Sequence, residues 1–251
     1  MNSSAFDFTI IAPAFLAGAL VLLTHVPLGA QVLKRGIVFI DLAIAQIAAL
    51  GVIVAGMADL DQAWMVQVAA GVAAVLGAFL LTWTEKRWPE VQEAQIGVVF
   101  VLAATGSLLL LANNPHGGEH LRDLLAGQIL WVRYEQLVLP AVATAAIAFV
   151  LFALGSRIGR LGFYLLFALA VTISVQLVGV YLVFASLIVP GLAVRNYPHK
   201  RKLPVAYAVG LGGYAAGLVI SMVYDLPSGA LIVWCLAILA AAVYGFGPGK
   251  R

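Results

Sequence analysis

Eight stretches of this chain stay apolar for about the 20 residues that a helix needs to cross a bilayer. They cover residues 8–26, 37–58, 64–83, 95–112, 137–155, 161–183, 204–223 and 229–246. Lipid offers no partner to a backbone N–H or C=O, so only helices and closed barrels span it. The strict alternation of barrel strands is absent. The fold class is therefore read as all-α: a polytopic membrane protein with about eight long transmembrane helices plus one short or re-entrant helix. The short element is assigned to residues 121–132, LRDLLAGQILWV, which are apolar but too few to cross comfortably. Composition agrees, because 63% of the residues are hydrophobic and 10% charged, whereas soluble domains carry about a quarter charged residues. No repeat or long linker divides the chain, so residues 1–251 are read as a single domain. The N-terminus, MNSSAFDF, lacks the positive start of a secretory signal, and the first helix is read as retained.

Several function classes fall away. The net charge of +3 fits basic loops on one side of a membrane, and no basic patch interleaved with aromatics supports nucleic-acid binding. The one cysteine, Cys235, forms neither an internal disulfide nor a zinc finger. The tail from Gly245 to Arg251 has glycines and a lysine but neither the strand nor the final Ser/Thr of a phosphate-binding loop. No catalytic residues and no bound cofactor are assigned. If the N-terminus is outside and residues 121–132 cross, eleven of the fourteen Lys and Arg face the cytoplasm, leaving Arg122, Arg157 and Arg160 outside. The positive-inside rule favours that arrangement.

Polar groups inside apolar runs are the candidate functional residues, since an ionisable group at membrane depth is costly. Asp41 lies just inside the second run and Gln46 follows five residues later. Asp41 is read either as an anchor paired with Lys34 or Arg35, or as part of a path with Gln46. Thr172, Ser174 and Gln176 interrupt the sixth run. Thr172 and Gln176 share a face at i, i+4 and either line a path or bond neighbouring helices. Gln128 and His25 are lone polar groups, His25 being read as structural or interfacial. The loop 113–123, NNPHGGEHLRD, holds His116, Glu119 and His120. Gly117-Gly118 and the preceding proline oppose the regular helix that a zinc hydrolase needs, so this cluster is read as a solvated loop or a weak external metal-collecting patch.

The stretch Ser174–Arg195, SVQLVGVYLVFASLIVPGLAVR, is expected to break at Pro190-Gly191. It ends on Arg195, followed by Lys200, Arg201 and Lys202, a basic shelf at a membrane face. Its pattern S-x-Q-x-x-G-x-x-L-V-x-A-x-L-x-x-P resembles permeases of metal-importing ABC transporters, the zinc/manganese permease family. Ser174, Gln176, Gly179, Leu182, Val183, Ala185, Leu187, Pro190 and Arg195 carry the likeness, and Gly191 departs from the alanine common there. The segment around Asp41 and Gly51 is similar to the family's G-D-x-x-x-H-x-x-x-x-G, with Gln46 in place of histidine and Asp41 one residue out of register. The resemblance implies a permease domain in a bacterial inner membrane. It implies a homodimer, cytoplasmic ATPase subunits that hydrolyse ATP, an extracytoplasmic metal-binding protein, and zinc or manganese as cargo. Pro190, Gly191 and Arg195 would then couple to the ATPase; the basic run is added from its charge. A secondary transporter, a channel or a metal-chelate permease is the alternative. Secondary transporters often carry broken helices at matched positions of internal repeats, and only one break is evident here.

Overall fold

The computed structural model describes residues 8–58, 60, 62–111, 129–154 and 157–248. Among them are nine α-helices: α1 (Phe8–Arg35), α2 (Ile40–Met57), α3 (Ala63–Arg87), α4 (Gln92–Leu111), α5 (Tyr134–Leu154), α6 (Arg160–Val178), α7 (Val180–Ala193), α8 (His199–Tyr224) and α9 (Ser228–Phe246). Eight are long and apolar enough to cross a membrane. The ninth, α7, has 14 residues, about 21 Å at 1.5 Å per residue, short of a hydrocarbon core of about 30 Å. The eight expected long helices are present, and the short helix among the described residues is α7, not the segment 121–132 to which it was assigned.

Local chemistry explains where helices continue through residues that usually end them. The first apolar run was expected to stop near residue 26, but α1 passes through Pro27 to Arg35. Pro27 has no N–H for the Leu23 carbonyl four residues back. The Tyr207 hydroxyl of α8 donates to that carbonyl instead, at 3.0 Å. This repairs the break and ties α1 to α8. Glycines set the other close crossings. A Cβ on Gly18 would fall within the Tyr214 ring, one on Gly210 would meet Leu22, and ones on Gly213 and Gly217 would meet Leu236 and Ile232 of α9. The small-xxx-small pair of α8 thus serves packing.

Contacts give each helix its direction. At one end, the Arg35 guanidinium lies 4.2 Å from the Phe163 ring centre. Arg160 Nε is 3.5 Å from Glu85 Oε1. Gln92 Nε2 donates to the Leu81 carbonyl at 3.1 Å and is 3.2 Å from the Tyr164 hydroxyl. The Phe39 N–H donates to Glu93 Oε1 at 3.2 Å. The ends of α1 and α3 therefore meet the starts of α2, α4 and α6. At the opposite end, Gln67 of α3 bonds Gln176 of α6, and both line a cleft with Glu135 of α5. Gly29 and Leu33 of α1 face Leu187 and Gly191 of α7, so these two helices run parallel. The end of α9 returns to the turn after α7, where the Tyr197 hydroxyl donates to the Val243 carbonyl at 3.3 Å. The nine helices alternate in direction along the chain.

Two sequence expectations change. The chain does not need residues 121–132 as a crossing. Residues 121–128 lie outside the described residues; Ile129–Trp131 form a 3-10 turn leading into α5, whose first residues lie at the Gln67–Gln176 end. The extra reversal occurs inside the run 161–183, at Gly179, with φ 81° and ψ 161°. That conformation is essentially open to glycine alone. Gly179 donates its N–H to Val175 O at 2.8 Å and accepts from the Val183 N–H at 3.1 Å, so one residue ends α6 and starts α7. The second change concerns Pro190 and Gly191. They lie inside α7, which runs on to Ala193. Only the Ser186 carbonyl loses its helical donor, and packing on α1 holds the helix through it.

These changes move Arg133 to the Gln67–Gln176 end and bring Arg157 and Arg160 to the opposite one. Lys34, Arg35, Lys86, Arg87, Arg157, Arg160, Arg195, Lys200, Arg201 and Lys202 then share one end, and Arg133 alone among the described basic residues lies at the other. The charge asymmetry is sharper than the one read from hydropathy, and the basic end is cytoplasmic by the positive-inside rule.

Candidate functional site

The apolar α2 buries two polar side chains. Its close approach to α3 depends on Gly51 and Gly77, where a Cβ would meet the Ala69 carbonyl and Ile47. Asp41, in the first turn, is completely buried, and Gln46 is 4% exposed. Among the described residues neither Asp41 oxygen has a hydrogen-bond partner, nor does Gln46 Oε1. The expected pairing of Asp41 with Lys34 or Arg35 is not formed; Arg35 stacks on Phe163 instead. Glu85 Oε2 and Glu93 Oε2 are also buried without partners at this end. A carboxylate without a partner at this depth disfavours folding by a few kcal/mol. No group of three His, Cys, Asp or Glu is gathered among the described residues, so α2 offers one carboxylate and one amide rather than a closed cage.

The three polar residues of α6 separate. Thr172 is buried and donates back to the Ala168 carbonyl at 2.8 Å. Ser174 is buried. Gln176 is exposed and accepts from Gln67 Nε2. The i, i+4 spacing of Thr172 and Gln176 does not open both into one space. Gln176 lines an outer cleft of about 750 Å³, with Trp64 and Gln67 of α3, Trp131 of the preceding turn, and Glu135, Gln136 and Pro140 of α5. Thr172 and Ser174 are not in that lining. Gln67 and Glu135 were not singled out in the sequence. A polar amide inside an apolar run was the signal available for Gln67; Glu135 sits before its run and gave none.

At the cytoplasmic end, the turn between α7 and α8 is fastened to α9. The Arg195 guanidinium lies 4.5 Å from the Tyr244 ring centre and donates to its hydroxyl. Pro190 is buried, Gly191 half-buried against Leu33, and Arg195 exposed. Pro198 precedes α8, whose first turns carry exposed Lys200 and Arg201 and half-buried Lys202. The structure thus brings Arg195 and the basic run onto one exposed face and leaves Pro190 beneath it. His25 is buried in the middle of α1, its Nδ1 2.9 Å from Val21 O, rather than at a helix end. His116, Glu119, His120 and Gln128 lie outside the described residues.

Known proteins share this sequence and this fold. A family model described as the ABC 3 transport family matches residues 7–158 and 152–246. The probable iron transport system membrane protein of Haemophilus influenzae is 29% identical over 175 residues, covering 61% of this chain and 62% of that protein. That match therefore spans about three fifths of the relative's length. The manganese transport system membrane protein MntC of Halalkalibacterium halodurans is 25% identical over 273 residues, covering 96% of this chain and 89% of its own. Among solved structures, PsaBC from Streptococcus pneumoniae in complex with Fab superposes with a TM-score of 0.79 at 20% identity, covering 98% of this chain and 94% of that one. At that identity the likeness concerns the fold.

Proposed function

The chain belongs to the ABC 3 transport family, and from that membership we propose that it is the membrane-spanning permease subunit of an ATP-binding-cassette importer for divalent metal ions, manganese or zinc. It is a multi-pass protein of the bacterial inner membrane and a transport subunit rather than an enzyme. Cytoplasmic ATPase subunits hydrolyse the ATP, an extracytoplasmic metal-binding protein delivers the cargo, and two copies of the chain enclose the path. Residues 1–251 act as one permease domain. The observation that carries this reading is that the family match runs from residue 7 to residue 246, through every described helix.

Within that reading, the cation passes Gln176 on the outer side and Asp41 and Gln46 further in. Asp41 supplies the charge. Its lack of a hydrogen-bond partner among the described residues supports this role, because a carboxylate kept purely for packing would be paired or replaced. Gln46 offers an amide oxygen where imidazole would favour zinc, which inclines the path toward manganese. The turn from Arg195 to Lys202 receives the motion of the ATPase, and α7, anchored on α1, carries it to Gly179. His116, Glu119 and His120 form an outer collecting patch.

The test is ATP-dependent uptake of radioactive manganese by proteoliposomes holding the chain with its ATPase and binding protein. Asp41→Asn is expected to cut uptake about tenfold or more, the loss of one charge-assisted contact. The amount of folded protein should stay the same or rise, since an unpaired buried carboxylate has been removed. Full uptake by Asp41→Asn would make Asp41 structural. No ATP-dependent accumulation of manganese or zinc by the assembled complex would end the permease reading.

A further inference from the structure

We propose that the outer cleft between α3, α5 and α6 is a cation station built from oxygen donors alone, which holds a hydrated divalent cation before it enters the membrane. The proposal rests on the permease reading for its purpose but on the cleft's own geometry for its chemistry. The polar side chains of the lining are the Glu135 carboxylate and the amides of Gln67, Gln136 and Gln176, flanked by the indoles of Trp64 and Trp131; among the described residues no histidine, cysteine, lysine or arginine lines it.

Backbone oxygens add to the side chains. Pro140, in the lining and inside α5, has no N–H to give the Gln136 carbonyl four residues earlier. Gln136 uses its side-chain oxygen to accept from the Arg133 N–H at 2.9 Å, and this lining residue also carries the carbonyl that Pro140 leaves without a helical donor. On the other wall, α6 ends at Val178, two residues after Gln176. The last carbonyls of a helix have no helical donor and carry the negative end of its dipole. Ile173, Gln176 and Leu177 line the cleft, and no residue of α7 does, so the negative end of α6 borders this space and the positive start of α7 does not.

The chemistry of this donor set is specific. Carboxylate, amide and carbonyl oxygens suit hard divalent cations such as manganese, and a site without imidazole or thiolate gives zinc no advantage. A single carboxylate cannot strip a cation of its water, so the ion stays mostly hydrated and exchanges quickly. That suits a station that passes its ion onward. The Gln67–Gln176 bond joins α3 to α6 across the same space. A cation drawing on the Gln176 amide oxygen, the acceptor of that bond, competes with it, which links occupancy of the cleft to the contact between the two helices.

The experiment uses the full chain in detergent, with Trp131 kept as its sole tryptophan and the other four changed to phenylalanine. Manganese(II) alone is titrated while Trp131 fluorescence is followed. Paramagnetic quenching is expected to saturate. Glu135→Gln should raise the half-saturating concentration about tenfold, and Gln67→Leu should raise it by a smaller factor. Glu90→Gln, a charge-matched change at the cytoplasmic end, should leave it unchanged. Both cleft substitutions replace exposed side chains, and circular dichroism of each variant checks that the fold is kept. Quenching that is the same in Glu135→Gln and Gln67→Leu as in the unsubstituted chain overturns the station. The permease reading would stand in that case, because uptake tests it separately.

Discussion

Replacing Gly29 by leucine is expected to stop the chain from accumulating in the membrane. A Cβ at Gly29 would sit 1.8 Å from the Leu187 carbonyl oxygen, far inside any real contact. The obstacle is backbone, which cannot rotate away as a side chain tip does. Four residues on, a Cβ on Gly191 would likewise meet Leu33, at 2.7 Å, in the same α1–α7 seam, so the helices cannot separate at one point without losing the next. Overpacking typically costs 1–3 kcal/mol, and severe backbone clashes exceed that. We expect Gly29→Ala to lose about 3 kcal/mol and Gly29→Leu to fail to fold. Gly71→Ala in α3, where a Cβ meets nothing within 4 Å, should be neutral or stabilising by about 1 kcal/mol through helix propensity. Thermal unfolding in detergent, followed by fluorescence, measures all three. Equal melting temperatures for Gly29→Ala and Gly71→Ala would mean that this seam is not as tight as described.

The second large effect is expected at Arg195. Its guanidinium rests on Tyr244 and fastens the turn after α7 to the end of α9. The site is exposed, so Arg195→Ala should lower stability by about 1 kcal/mol or less. Transport should suffer much more. If this turn carries the motion of the ATPase, a loosened turn loses the coupling free energy between the two proteins, typically 1–3 kcal/mol. We expect ATP-dependent uptake to fall about tenfold or more, while the ATPase subunits still bind ATP and the membrane content of the chain stays unchanged. Tyr244→Phe keeps the ring and removes the hydroxyl, and should fall between the two. Normal uptake by Arg195→Ala would remove this turn from the mechanism.

Much of this was legible in the sequence, for reasons that differ by residue. Hydrophobic run length located all eight long helices, because lipid imposes one structure and one length on any segment that crosses it. Reversal points were not legible in the same way. An apolar run reads alike whether the chain continues or turns back, and Gly179 and Pro190 lie eleven positions apart in the stretch Ser174–Arg195. Proline is the stronger breaker by propensity, yet it stayed within a helix because α1 packs against it, while the glycine at φ 81° turned the chain. That one exchange misassigned the sides of Arg133, Arg157 and Arg160. Asp41 and Gln46 stood out in sequence because polarity in an apolar run needs no partner to be noticed. The outer cleft did not stand out. Its two bonded glutamines are 109 positions apart, and no local pattern joins a residue of α3 to one of α6.

Coupling to an ATPase requires the turn between α7 and α8 to face the cytoplasm and to meet the ATPase there. A chain with Cys235→Ala and His199→Cys, the exposed first residue of α8, carries a single thiol at that turn. Labelling it with a membrane-impermeant maleimide, in intact spheroplasts and in inside-out vesicles, reads its side directly. We expect labelling in the inside-out vesicles alone, and strong protection when the ATPase subunit is co-expressed. Labelling from the outside of intact spheroplasts, or no protection by the ATPase, would contradict the account.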